Sequence, residues 1–164
     1  LTDADGYGAL IYTNGHGLEV GQVLNGTISC KFILYQGNTE ITNFSKEGLT
    51  ITNADVTPVE RTLPLTSANQ STLVTLKGVT FSDGKLSDGT NEITYYDNFS
   101  AGSLEEGATY DITGIVIVYN TTLEIAPRTA DDIVKTSETI DTRLDLTLSF
   151  PQESYEAIMG EDFE

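Results

Sequence analysis

The stretch Tyr-Asp-Ile-Thr-Gly-Ile-Val-Ile-Val-Tyr, residues 110–119, decides the fold of this chain. Residues 115–118 are apolar at every position, as in a strand that is covered on both faces or that closes a small barrel. Gly114 directly precedes this run, and a glycine inside a strand allows a sharp bend. The stretch therefore predicts a bent strand in a closed sheet and argues against a flat sandwich.

Further strands are predicted on both sides of this stretch. The predicted strands are 73–81, 92–97, 111–119 and 123–126, with Ser-Asp-Gly turn signals at 82–84 and 87–89. Residues 129–134 suit one helical turn with Thr129 as its N-cap, and helix is otherwise nearly absent. A bent strand among short neighbours is typical of a five-stranded Greek-key barrel of the OB type. The predicted fold class is therefore all-β.

The order of features in this region recurs earlier in the chain. The matching features are Leu-Thr-Asp at 1–3 with Leu-Ser-Asp at 86–88, Tyr35 with Tyr119, and Glu-Ile at 40–41 with Glu-Ile at 124–125. Similar features in a fixed order indicate duplication. We predict two sequence-related OB-like repeats and an extra C-terminal strand.

The predicted division of the chain follows from these matches and from composition. It is 1–56 for the first OB-like repeat, which lacks its opening strand, 57–70 for a polar connector, 71–134 for the second OB-like repeat, and 135–164 for a linker and C-terminal β segment.

The chain is strongly acidic, with 25 Asp and Glu against 8 Lys and Arg and a formal net charge of -17. Such a charge repels phosphate backbones at long range. It therefore disfavours a nucleic-acid partner and otherwise indicates solubility.

Cys30 is the one cysteine, so neither an intrachain disulfide nor a zinc cluster is expected, and we predict it to be a small buried residue. No apolar run is long enough to cross a membrane. The chain opens with Leu1 and has no signal sequence, which suggests a mature fragment. Membrane anchoring is expected only through a lost lipidated N-terminus.

Two segments carry a family resemblance, Leu-Val-Thr-Leu-Lys-Gly-Val at 73–79 and Tyr-Asp-Ile-Thr-Gly-Ile-Val at 110–116. They resemble framework strands of the tandem OB-like modules of secreted Bacteroidetes lipoproteins, over roughly residues 1–134. Residues 148–150 followed by 159–163 resemble the opening strands of an Ig-like module. The resemblance implies an extracellular or cell-surface location and no particular chemistry.

Catalytic and metal-binding motifs are weak. His16 lies in a glycine-flanked turn without a second histidine or a cysteine nearby, so it has no evident metal or base partner. Asp3 and Asp5 begin like a calcium loop, but position 14 is Asn where a bidentate Glu is needed. We expect a strand-connecting turn there. We predict no cofactor, no metal, no catalytic residue and no enzymatic activity.

The candidate ligand-binding residues are aromatic and lie at or near strand ends: Tyr12, Tyr35, Tyr96 and Tyr119. At a barrel mouth, such rings can stack on sugars or bases. Packing at the core and rim is the alternative role. Tyr95 and Tyr96 are adjacent on a strand, so only one of them can face inward.

These features leave three functional hypotheses. The first is a non-enzymatic extracellular module that binds a glycan or protein ligand. The second is a structural spacer of a larger surface lipoprotein. The third is a single-strand nucleic-acid binder of the OB type, which the charge disfavours.

The first repeat begins at the position that matches Leu86, so it has no counterpart of the strand at 73–81. A barrel without this strand exposes two unpaired edges. The segment from Arg143 to Phe150 alternates apolar and polar residues and could fill the vacancy by strand exchange, within the chain or from a neighbouring molecule. The alternative is that this segment starts another domain.

The charge generates a first prediction. Mixing the protein with labelled single-stranded oligonucleotides at about 0.15 M salt should give no gel retardation, because the net charge of -17 repels the backbone. Micromolar binding that weakens steeply with salt would contradict it.

Overall fold

The protein is described by a computed structural model that covers residues 1–3 and 5–137. The predicted strand from Arg143 to Phe150 lies outside the described residues. The described part is nearly all β and contains a closed five-stranded barrel, which confirms the predicted fold class. In this part, no helix is long and apolar enough to cross a membrane.

The strands are numbered in chain order as β1 (Leu10–Ile11), β2 (Gln22–Asn25), β3 (Lys31–Tyr35), β4 (Asn38–Thr42), β5 (Thr50–Asn53), β6 (Val59–Arg61), β7 (Leu73–Ser82), β8 (Lys85–Ser87), β9 (Glu92–Tyr95), β10 (Thr109–Tyr119), β11 (Thr122–Ala126) and β12 (Ile133–Ser137). Two short 3-10 turns, Ser67–Asn69 and Ala130–Asp132, complete the regular structure of the described residues.

The barrel lies in the second half of the chain. Its strands are paired in the order β7, β8, β9, β11 and β10, and β10 returns to pair with β7. The β9–β11 pair is parallel and the other four pairs are antiparallel. Closure leaves no free edge within the ring.

Strand β10 closes this ring by pairing differently along its length. Its first part pairs with β12 and its last part with β11, while β7 lies on its other side. Gly114 stands where the change occurs. A Cβ there would lie 2.6 Å from Ile125 Cγ1 and 3.0 Å from the Ala126 carbonyl oxygen. Glycine is required here because β11 approaches the backbone closely.

The barrel core is built from alternate residues of its strands. In β10, buried positions alternate with half-buried ones from Tyr110 to Val118, so one face of the strand is fully buried and the other is only partly covered. Leu76, Leu86 and Ile112 are at most 1% exposed. Burial of each such side chain stabilises the fold by about 1.5–3 kcal/mol.

Residues 57–70 differ from the polar connector that the sequence predicted. Strand β6 pairs in parallel with β7, and Leu63 and Leu65 are buried in the barrel core. The two leucines alternate around Pro64, so both can point toward the barrel while Pro64 and the flanking threonines are exposed. This segment therefore belongs to the packed second half.

The first half contains two small sheets, β1–β4–β3 and β2–β5. Their pairings repeat those of the second half at an offset of 84 residues. In parallel pairs, Leu10 is opposite Glu40 as Thr94 is opposite Glu124. In hairpins, Tyr35 is opposite Asn38 as Tyr119 is opposite Thr122. This common register is what the predicted duplication requires.

The two halves meet at the turn around Gln70. The Thr39 backbone N–H donates to Gln70 Oε1 at 2.9 Å, and Gln70 Nε2 donates to Thr39 Oγ1 at 2.8 Å. Thr2 Oγ1 donates to the Ser71 carbonyl at 3.3 Å. A Cβ on Gly8 would lie 2.2 Å from the Gln70 carbonyl oxygen, so the backbones are in close contact there.

The predicted helical turn at 129–134 is a 3-10 turn over Ala130–Asp132, with Thr129 as its N-cap residue. The Thr129 side chain makes no capping hydrogen bond. Instead, Asp132 accepts from Arg128 Nε at 2.9 Å and from Arg128 Nη2 at 2.8 Å. Strand β12 then pairs with β10, so residues 135–137 extend the barrel sheet and are not the linker that the sequence predicted.

The close approach at Gly114 generates a second prediction. Gly114→Ala should lower the free energy of unfolding by about 1–3 kcal/mol, and Gly114→Val by more, because the added atoms collide with β11. Chemical denaturation measures the change. Gly84→Ala is the control, because an added Cβ there meets no other atom. Its only penalty is the left-handed backbone at φ +75°, which should lower the free energy of unfolding by about 1 kcal/mol. A Gly114→Val variant as stable as the unmodified protein would contradict this packing.

The Arg128 pair generates a third prediction. The Arg128 side chain holds the pKa of Asp132 below its usual value of 3.8, so ionised Asp132 stabilises the fold at neutral pH. Asp132→Asn should cost about 1.5–3 kcal/mol at pH 7. The difference should shrink as the pH falls below 3.8 and through the lower folded-state pKa. Asp131→Asn, in the same turn, is the control. A pH-independent difference between the unmodified protein and Asp132→Asn would refute the pairing.

Candidate functional site: an open cleft in the first half

Within the described residues, the first half has no counterpart of β7. In the second half, β7 pairs with β8 on one side and with β10 on the other. The matching edges in the first half belong to residues 1–2 and to β2. Among the described residues, β2 pairs with β5 alone, and the strand pairing of residues 1–2 is limited to the short antiparallel bridge from Thr2 to Gly8. Two strand edges therefore face an open space.

Along this space, side chains are exposed at positions whose equivalents in the second half lie in the barrel core. Leu1 is 44% exposed, whereas Leu86 at the matching position is 0% exposed. Phe32 is 63% exposed, whereas Val116, its equivalent 84 residues later, is 0% exposed. The missing strand accounts for the contrast, because β7 contributes Val74, Leu76 and Val79 to the closed core.

The space between the two edges is a cleft of about 840 Å³. Its apolar lining includes Leu1, Ala9, Leu24, Phe32, Ile41 and Val56. Ile41 is only 5% exposed and forms its floor, while Phe32 stands at its open side. The cleft thus combines an apolar floor with two unpaired backbone edges.

Sequence reasoning located this vacancy but not the residues that line it. The match of Leu1 with Leu86 predicted the missing strand. The sequence does contain a signal for Phe32. Shifting the apolar run 115–118 back by 84 residues places it on 31–34, where Phe32 is a core-type position that no neighbouring strand covers.

Two of the predicted tyrosines, Tyr12 and Tyr96, occupy matching positions just after a strand. The Tyr12 backbone N–H donates to the Ile41 carbonyl at 2.9 Å, and that of Tyr96 donates to the Ile125 carbonyl at 3.0 Å. Their side chains are 68% and 43% exposed. Each is therefore available to a ligand on its own half.

The other two tyrosines, Tyr35 and Tyr119, end β3 and β10 and are more than half exposed. The turns that follow them lie side by side, because a Cβ on Gly37 would lie 3.0 Å from Val118 Cγ1. Tyr12 is separated from Tyr35 by the length of β4, about 13 Å. None of the four lines the cleft, so the structure does not gather them at one rim.

Tyr95 faces inward, and Tyr96 faces outward, as their adjacency requires. The Tyr95 ring packs edge-on against Phe81, and its hydroxyl donates to the Gly102 carbonyl. Burial, and then the nearby Asp97 carboxylate, raises the pKa of Tyr95 to about 12. Tyr95 is therefore a neutral part of the barrel wall.

The polar residues singled out in the sequence stabilise turns. Asp3 Oδ1 accepts from the backbone N–H groups of Asp5 at 3.0 Å and Tyr7 at 2.8 Å. His16 Nδ1 accepts from the Leu18 N–H at 3.0 Å. Cys30 is half-buried, not buried as predicted, because it lies in the open loop before β3. In the described ranges, no cluster of three or more potential ligands could hold a metal ion.

Comparisons with protein-family models, curated proteins and solved structures find no match. The family that the sequence resembles, and the location that it implies, therefore stay predictions.

Proposed function

We propose that this protein is a non-enzymatic extracellular binding module for a protein or glycan ligand. The closed second half serves as a rigid scaffold, and the open first half presents the contact surface. The observation that carries the proposal is the exposure of core-type side chains in the cleft, above all Phe32 at 63% against Val116 at 0%.

The cleft favours a polypeptide over a sugar. A strand laid between residues 1–2 and β2 would form main-chain hydrogen bonds with both edges and bury alternate side chains on Phe32 and Ile41. This is recognition by addition of a β-strand, in which the backbone supplies affinity and alternate side chains supply specificity.

A glycan would use a different surface. Tyr35 and Tyr119 lie on adjoining turns and could offer two exposed rings to one sugar chain. The surface of the chain gives no comparable support to nucleic acid, because the net charge is -17. A spacer role remains the alternative to ligand binding.

A labelled peptide with the sequence of Leu73–Ser82 is the direct probe of the cleft, because that strand fills the matching position in the second half. We expect saturable binding, measured by fluorescence anisotropy with nanomolar protein. Phe32→Asp should weaken it at least tenfold, about 1.4 kcal/mol, since it places a charge in the apolar lining of the cleft. Val20→Asp is the control, because Val20 is 83% exposed and lies outside the cleft.

A glycan array tests the tyrosine surface in parallel. Selective hits that disappear in Tyr35→Ala and Tyr119→Ala, while peptide binding persists, would assign the ligand to sugars. A folded protein that binds neither the peptide nor any glycan would reject the binding function in favour of a spacer.

A further inference from the structure

We propose that the cleft of one molecule is filled by the segment from Arg143 to Phe150 of a second copy, so that two copies complete each other's first halves by strand exchange. The inference rests on the proposed function and names the occupant of the cleft.

Strand β7 shows what an occupant must supply. It runs antiparallel to β8 and β10, whose counterparts border the cleft in the first half, and it buries Val74, Leu76 and Val79, which are 1–2% exposed, toward the barrel interior. An occupant of the first half therefore needs an extended backbone and a row of apolar side chains on one face.

The segment from Arg143 to Phe150 has this pattern. Apolar residues stand at every second position, namely Leu144, Leu146, Leu148 and Phe150, with Asp, Thr and Ser between them. In a strand, these four side chains lie on one face and the polar ones on the other. The segment can thus cover Phe32 and Ile41 while it presents polar side chains to water.

The position of the cleft within the molecule decides which copy donates the strand. By equivalence with β7, the occupant begins beside Lys31, the match of Ile115, and ends beside Thr2. Thr2 is hydrogen-bonded to Ser71, so the occupant ends at the junction of the halves and begins away from it.

The described chain ends at the opposite side of the second half. Ser137 is paired with Thr109, whereas the first half contacts the other end of β10, at Val118. The nine residue steps from Thr109 to Val118 extend about 30 Å along the strand. The five residues 138–142 reach at most about 20 Å even when fully extended. The linker is therefore too short to follow β10 back to the first half, which favours a second copy as the donor of the strand.

The mass of the full chain in solution is the first measurement. At tens of micromolar, light scattering after gel filtration should give at least twice the monomer mass. Leu146→Asp on the donor and Phe32→Asp on the acceptor should each give monomers, because each places a charge in the apolar contact. Ile158→Asp and Val20→Asp are the matched controls, since they make comparable changes outside the donor segment and outside the cleft, and both should keep the mass of the unmodified chain.

Complementation separates exchange from a general loss of folding. The Phe32→Asp variant keeps an intact donor, and the Leu146→Asp variant keeps an intact cleft. An equimolar mixture should therefore recover a species of twice the monomer mass, whereas neither variant does so alone. Two variants that were merely unfolded would not restore each other.

Three outcomes would overturn the exchange. They are a monomeric full chain at tens of micromolar, an unchanged mass in Leu146→Asp or Phe32→Asp, and a mixture that stays monomeric. If the full chain is monomeric and still binds the Leu73–Ser82 peptide through Phe32, exchange between copies is rejected while the binding function stands.

Discussion

The close approach of β11 to β10 at Gly114 is the contact on which the rest of the barrel depends. Without a side chain at this position, the backbone of β11 lies against that of β10, and β10 can change partners along its length. One continuous strand then serves two regions of the sheet. The ring closes, and its apolar residues become a core that water does not reach.

The first half shows the effect on a similar sequence pattern when the described residues provide no counterpart of strand β7. In the closed half, β7 pairs with β10 on both sides of the bend, at Tyr110 and at Ile115. In the open half, no described strand spans the bend, and the counterpart of β10 is divided into β2 and β3. Whether Phe32 is core or surface is therefore decided by a strand that is remote in sequence, and not by the apolar character of Phe32 itself.

The sequence predicted the features that local chemistry determines. The bent strand and the turns after Phe81 and Ser87 follow from glycine and turn residues, whereas the 3-10 turn after Thr129 forms without the predicted side-chain cap. Leu63 and Leu65 were missed, because their burial depends on the parallel pairing of β6 with β7, which no local pattern reveals. The cleft was predicted only as a vacancy, since its lining becomes visible once the register of the two halves is known.

Ser137 pairs with the start of β10, whereas the first half contacts the end of β10, so the two lie on opposite sides of the barrel. The cleft lies on the side of the Gln70 junction, and β12 ends at the other end of β10. Such molecules can form a closed dimer, in which each copy donates a strand to the other. They can also form an open filament, in which each copy binds one molecule through its cleft and a different molecule through its C-terminal segment. Under the proposed exchange, the Gln70 junction fixes how the cleft is oriented relative to Ser137, and this orientation would select one of the two arrangements.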